Sequence, residues 1–140
     1  MKLAFIGTGK IIEDALFATQ FSTETQVTAI FARPHSKGKA EELTGKYQIA
    51  EIYTDYAKLL KETSADTVYI GLVNSAHYQY AREAVLAKKH VILEKPLTGF
   101  LKQAKELFKL AEKNGVFIFE ATTILHTPAL ELLKDQLNKI

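Results

Sequence analysis

The stretch Lys2-Leu3-Ala4-Phe5-Ile6-Gly7-Thr8-Gly9-Lys10-Ile11-Ile12-Glu13-Asp14-Ala15-Leu16 decides how the rest of the chain reads. Lys2–Ile6 is a nearly continuous apolar run, the pattern of a strand buried on both faces. Two glycines one residue apart then break it. From Ile11 the apolar residues recur at helical spacing, through Ile12, Ala15 and Leu16 to Thr19. A strand, a glycine turn and an amphipathic helix in direct succession form the opening unit of a parallel α/β sheet.

The same alternation continues down the chain. Apolar runs at Val27–Phe31, Val68–Leu72, Val91–Leu93 and Val116–Phe119 predict further buried strands, while Gln48–Tyr53 alternates apolar and polar residues and predicts a sheet-edge strand. Between them lie helical faces: Tyr56, Leu59 and Leu60; Ala81, Ala84, Val85 and Lys88; Leu101, Ala104, Leu107, Phe108 and Ala111. Ser36, Thr54 and Ser75 are candidate N-caps, and Gly45 and Gly115 candidate helix ends. Strict alternation of this kind predicts an α/β fold with a doubly wound parallel sheet and right-handed crossovers. After Phe119 the stretch Glu120–Thr127 has no clear period. Pro128 then opens a last helix with Leu130, Leu133, Leu137 and Ile140 on one face.

Composition narrows the function classes. The chain has 140 residues, 47% hydrophobic and 24% charged, enough for one packed core. Its net charge is +2, and its lysines are interleaved with glutamates on helices. That is a solvated surface and not a nucleic-acid footprint. With no cysteine, disulfides and thiolate chemistry are excluded. His35, His77, His90 and His126 are scattered, so no metal site is expected. No apolar run reaches the roughly 20 residues of a membrane span, and Met1-Lys2 leads straight into a strand instead of a signal peptide. A soluble cytoplasmic protein is expected.

The glycine turn carries the first chemistry. Gly7 permits the tight turn, and Gly9 lets the backbone approach a bound group. The free amides around Thr8, Lys10 and Ile11, at the positive end of the helix dipole, then suit a pyrophosphate. The third glycine of the usual dinucleotide fingerprint is replaced by Ile12. An acid that would hold the adenosine ribose hydroxyls is expected about 20 residues later. Instead the second strand ends Ile30-Phe31-Ala32-Arg33-Pro34-His35-Ser36-Lys37, and no acid occurs between Glu24 and Glu41. Arg33, Ser36 and Lys37 together suit a phosphate monoester, which favours NADP. Arg33 stacking on the adenine face would also accommodate NAD. The fold expectation is therefore a Rossmann-type NAD(P)-binding domain over residues 1–120, with 121–140 as a crossover and first helix leading towards an absent substrate domain.

Four further stretches resemble a known family. Ile6-Gly7-Thr8-Gly9-Lys10-Ile11, Val68-Tyr69-Ile70-Gly71-Leu72-Val73-Asn74-Ser75-Ala76-His77-Tyr78, Lys89-His90-Val91-Ile92-Leu93-Glu94-Lys95-Pro96-Leu97 and Phe119-Glu120-Ala121 are similar to the N-terminal domain of the Gfo/Idh/MocA oxidoreductases. Departures are Val73, where the family commonly has proline, and Ile12, where a small residue is commoner. The resemblance implies hydride transfer between a nicotinamide and a hydroxyl or carbonyl of a sugar, polyol or dihydrodiol-like substrate. It makes Lys95 the catalytic group beside the reacting oxygen, with Glu94 positioning the cofactor and Leu72, Asn74 and His77 along its ribose or nicotinamide end. It also implies a homo-oligomer when the substrate domain is present, and a chain that alone cannot turn over substrate. A cis Lys95–Pro96 bond is expected on two grounds: the strand must turn abruptly after Glu94, and the resemblance points the same way.

Two other readings use the same fold: a cofactor-sensing or regulatory module, and a CoA-binding domain. Lys95 argues against the first, because a sensor needs no proton-relay group, and the Glu94-Lys95-Pro96 segment against the second. From the Arg33–Lys37 stretch, NADP(H) is expected to bind more tightly than NAD(H). Arg33→Ala should narrow that gap by about 1–3 kcal/mol in parallel titrations of the two cofactors. Equal affinities in the unmodified chain would overturn the assignment.

Overall fold

A computed structural model describes residues 1–123 and 127–137. The elements run β1 (Lys2–Ile6), α1 (Lys10–Thr19), β2 (Gln26–Phe31), a short 3-10 turn (Pro34–Ser36), α2 (Lys37–Tyr47), β3 (Glu51–Tyr53), α3 (Tyr56–Glu62) and β4 (Thr67–Ile70). They continue with α4 (Asn74–Leu86), β5 (His90–Glu94), α5 (Leu101–Asn114), β6 (Ile118–Ala121) and α6 (Pro128–Leu137). All strand pairs are parallel, in the order β3-β2-β1-β4-β5-β6. The expected doubly wound sheet is present, with the alternating segment at its β3 edge.

The core lies on both sheet faces. On one, Ala4, Ile6, Val68, Ile70, Val91 and Leu93 pack against Leu59 of α3, Ala81, Ala84 and Val85 of α4, and Leu107 and Ala111 of α5. On the other, Leu3, Phe5 and Ile30 pack against Ile12 and Leu16 of α1 and Ala40 and Leu43 of α2. Burying each large aliphatic side chain in these layers contributes about 1.5–3 kcal/mol. The second layer stops at β1. Beyond it the register aligns Phe5, Tyr69, Ile92 and Phe119 across four strands. Phe5 is fully buried, Tyr69 and Ile92 are half-buried, and Phe119 is exposed.

Several boundaries differ from expectation. The cap of α3 is Asp55 and not Thr54, because its Oδ1 accepts from Lys58 N at 3.0 Å. Helix α4 starts at Asn74 with Val73 as its cap, where Ser75 was expected, since Ala76 N already closes a turn onto Val73 O at 2.8 Å. Gly45 lies inside α2, and the left-handed residue that ends this helix is Gln48, at φ 54°. Gly115, at φ 68°, does end α5. On α5 only Leu107 and Ala111 are buried. Leu101 and Phe108 are exposed, because the helix offers the core one narrow stripe. In α6 Leu130 is half-buried while Leu133 and Leu137 are exposed. Ile140 and His126 lie outside the described residues.

The missing third glycine has a structural counterpart. Ile12 is fully buried, and a Cβ on Gly71, just after β4, would come within 2.6 Å of its Cδ1. The close approach of α1 to the sheet is thus achieved by a small residue on the strand side and a large one on the helix. Gly71→Ala should cost about 1–3 kcal/mol in chemical denaturation, through overpacking. Ile12→Val, which removes the clashing methyl, should recover part of that loss in the double variant. Strict additivity of the two changes would refute the contact.

Candidate functional site

The strand order reverses between β1 and β4, and open α/β sheets bind ligands outside the carboxyl ends of the strands at such a point. Two glycines meet there. Gly7 has φ +122°, and a Cβ on it would lie 2.8 Å from the Gly71 carbonyl oxygen. Its amide donates to Phe31 O at 2.9 Å, and Gly71 N donates to Ile6 O at 3.1 Å, so the turn is tied to β2 and β4 to β1. Gly9 caps α1 with extended backbone and no side-chain bond, and a Cβ there would meet nothing within 4 Å. Among the described residues, the amides of Thr8, Gly9, Lys10 and Ile11 have no hydrogen-bond acceptor. Free amides at a helix start beside open space are the donor set an oxyanion group requires, and a pyrophosphate fits it.

A cleft of about 410 Å³ surrounds this turn, lined by Gly7, Thr8, Gly9, Ala32, Arg33, Ser36, Lys39, Gly71, Leu72 and Val73. Gly7, Thr8, Gly9, Arg33, Ser36 and Leu72 were singled out from the sequence. Three other predicted residues turn away from it. The Lys10 ammonium pairs with Asp14, Lys37 pairs with Glu41 at 3.5 Å, and Ile11 lines a separate groove with Tyr69 and Ile92. What remains of Lys10 and Ile11 for the cleft is their amides. In place of Lys37 the cleft holds Lys39, three residues beyond Ser36 and on the same side of the helix. That spacing was the available signal; proximity in sequence pointed to the wrong lysine. Val73 has φ −65° and ψ 144°, the conformation a proline would impose, so its substitution leaves the backbone course unchanged. Asn74 is exposed in the first turn of α4.

The carboxyl end of β5 is a second polar centre. Glu94 is buried; one oxygen accepts from the Tyr69 hydroxyl and the other from Lys95 N at 3.3 Å. Burial first, then the bond to Glu94, push the Tyr69 hydroxyl well above the usual phenol range, so it stays a donor. Lys95 is exposed, and among the described residues its ammonium has no partner. The Lys95–Pro96 peptide is cis, as expected. His77 departs from its expected role. It is completely buried, with Nδ1 2.8 Å from Pro96 O and Nε2 3.0 Å from Leu72 O, so it does not line the cleft. Glu120 carried no assigned role, yet its Oε1 accepts from Leu97 N at 2.6 Å.

Residues 1–122 match the Gfo/Idh/MocA oxidoreductase family, NAD-binding Rossmann fold. The scyllo-inositol 2-dehydrogenase (NADP(+)) of Bacillus subtilis is 31% identical over 140 residues, which is the whole of this chain and 42% of that protein. The dTDP-3,4-didehydro-2,6-dideoxy-α-D-glucose 3-reductase of Actinomadura kijaniata is 34% identical over 125 residues, 89% of this chain and 37% of that one. The crystal structure of KijD10, a 3-ketoreductase from the same organism in complex with NADP and TDP-benzene, superposes with a TM-score of 0.92 at 32% identity, covering 99% of this chain and 42% of that chain. The present chain therefore spans about two fifths of the relatives it matches. With a family match over nearly its whole length and the glycine turn, switch-point cleft and Glu94-Lys95-Pro96 loop in place, the chain belongs to the Gfo/Idh/MocA oxidoreductases as their NAD-binding Rossmann domain.

Proposed function

We propose that this chain is the NADP(H)-binding part of an oxidoreductase acting on a hydroxyl or carbonyl of a polyhydroxylated substrate. The observation that carries this reading is the cleft itself. The unpaired amides of Thr8–Ile11 and the open space at Gly9 adjoin Arg33, Ser36 and Lys39, and among the described residues no carboxylate lines the cleft. A ribose 2′-hydroxyl favours an acid at this place; two cations and a hydroxyl favour a 2′-phosphate. The NADP named with the B. subtilis dehydrogenase and the A. kijaniata ketoreductase agrees. Inositol and sugar-nucleotide names among the relatives support the substrate class.

In this reading the Thr8–Ile11 amides hold the pyrophosphate, Arg33, Ser36 and Lys39 hold the 2′-phosphate, and Leu72 and Asn74 lie towards the nicotinamide end. A bound nicotinamide supplies hydride chemistry. Lys95 acts on the substrate oxygen, its ammonium donating a hydrogen bond that stabilises developing negative charge and relaying the proton. Glu94 serves from behind, holding the Lys95 amide and the Tyr69 hydroxyl instead of touching the cofactor. Residues 121–140 form the crossover towards a substrate domain, and the complete protein works as a cytoplasmic homo-oligomer.

Gly9→Ala separates binding from folding. The new methyl meets no protein atom, so stability should fall by less than about 1 kcal/mol. NADPH affinity, read by fluorescence titration, should drop by about tenfold or more, because the methyl occupies the phosphate cradle. Unchanged affinity would sink the assignment of the site. In the complete enzyme, Lys95→Ala should lower kcat by about 10²–10⁴ while the KM for NADPH stays within about tenfold. A loss confined to KM would show instead that Lys95 serves binding.

A further inference from the structure

Three successive residues after β5 are each held by a different side chain. Lys95 N donates to Glu94 Oε2 at 3.3 Å, Pro96 O faces His77 Nδ1 at 2.8 Å, and Leu97 N donates to Glu120 Oε1 at 2.6 Å. These three side chains come from β5, α4 and β6, so the segment is fixed against three elements at once. His77 does more than hold Pro96. Its other nitrogen lies 3.0 Å from the carbonyl of Leu72, a residue that lines the cofactor cleft. Both neighbours of the ring are acceptors. A neutral imidazole donates to one and a charged ring to both, so the ring is always engaged. Among the described residues His77 is the only ionisable side chain combining zero exposure with two functional loops as partners.

We propose that His77 and Glu120 are positioning residues that set Lys95 relative to the cofactor cleft, His77 by joining the Lys95–Leu97 segment to the Leu72 loop and Glu120 by anchoring its far end. This rests on the dinucleotide reading of the cleft. Neither residue lines the cleft: His77 is enclosed by protein, and Glu120 is occupied by Leu97 N and by the Thr122 hydroxyl at 3.0 Å. Their effect passes through backbone atoms. It should therefore be felt at the nicotinamide end and not at the adenosine end, where Arg33, Ser36 and Lys39 hold their own places between the end of β2 and the first turn of α2.

Two probes applied to the 140-residue chain test this. Adenosine 2′,5′-bisphosphate occupies only the adenosine half of the cleft, whereas NADPH also needs the nicotinamide half. His77→Leu should leave bisphosphate affinity within about twofold and weaken NADPH by about fivefold, the effect of one lost hydrogen bond. His77→Asn, which keeps a donor near the Nδ1 position, should recover most of the NADPH loss. Glu120→Ala, at an exposed position that does not threaten folding, should reproduce the split, and Glu120→Gln, which keeps an acceptor, should not. The Glu120 pair decides the matter even where His77→Leu fails to fold. Equal weakening of both probes, or of neither, overturns the positioning role while leaving the cleft assignment intact. An unmodified chain that binds neither probe overturns the cleft assignment and this inference with it.

Discussion

The turn after β1 and the end of β4 approach so closely that a single methyl on Gly7 would press against the Gly71 carbonyl at 2.8 Å. This contact depends on glycine from both strands and on Ile12 filling the space beside Gly71. It brings the start of α1 down onto the switch point of the sheet, and the positive end of the helix then faces the cleft. Arg33 and Ser36 arrive at the same place because β2 is hydrogen-bonded to the Gly7 turn through Phe31. The cradle proposed for the phosphates is a consequence of packing. Its donors are backbone amides left over once the helix has been seated.

The polar groups divide by exposure. Arg33, Lys39 and Lys95 are exposed and free to meet a ligand, while Glu94 and His77 are buried, His77 between two backbone carbonyls and Glu94 on the Lys95 amide and the Tyr69 hydroxyl. A buried carboxylate or imidazole is tolerated only when its hydrogen bonds are satisfied. Here that requirement makes each of them a fastener for the loop that presents Lys95. The residues of the motif Glu94-Lys95-Pro96 therefore act on different atoms: the glutamate on the Lys95 amide, the proline through its carbonyl on His77, and the lysine ammonium outward.

The uncovered half of the second sheet face gives the domain its asymmetry. Phe5, Tyr69, Ile92 and Phe119 align across β1, β4, β5 and β6, but the α1 layer covers only the first of them fully. A doubly wound sheet elsewhere in this chain buries apolar rows under helices on both faces. The Tyr69 hydroxyl supplies the polar end of this row by bonding Glu94, so the carboxylate and the apolar strip are parts of one surface.

Sequence alone determined what depends on local chemistry and on period. Continuous apolar runs located five of the six strands and an apolar–polar alternation the sixth, at the sheet edge; helical spacing located the buried faces of α1, α3 and α4, and the lack of an acid between Glu24 and Glu41 spoke for a phosphate-binding end to β2. It also marked Gly7, Gly9 and the Glu94-Lys95-Pro96 loop, which the fold places at the carboxyl ends of β1 and β5. Tertiary structure decided which way side chains turn. Lys37 and Lys39 are two residues apart and equivalent in composition, yet α2 points one at Glu41 and the other into the cleft. His77 is a polar residue at a helix start by sequence, and becomes an enclosed fastener only because the Leu72 and Pro96 carbonyls converge on it from loops 24 residues apart in number, with separations of 5 and 19 from His77 itself. Pairing between distant segments follows from how strands stack and helices cross, and no window of sequence contains both partners.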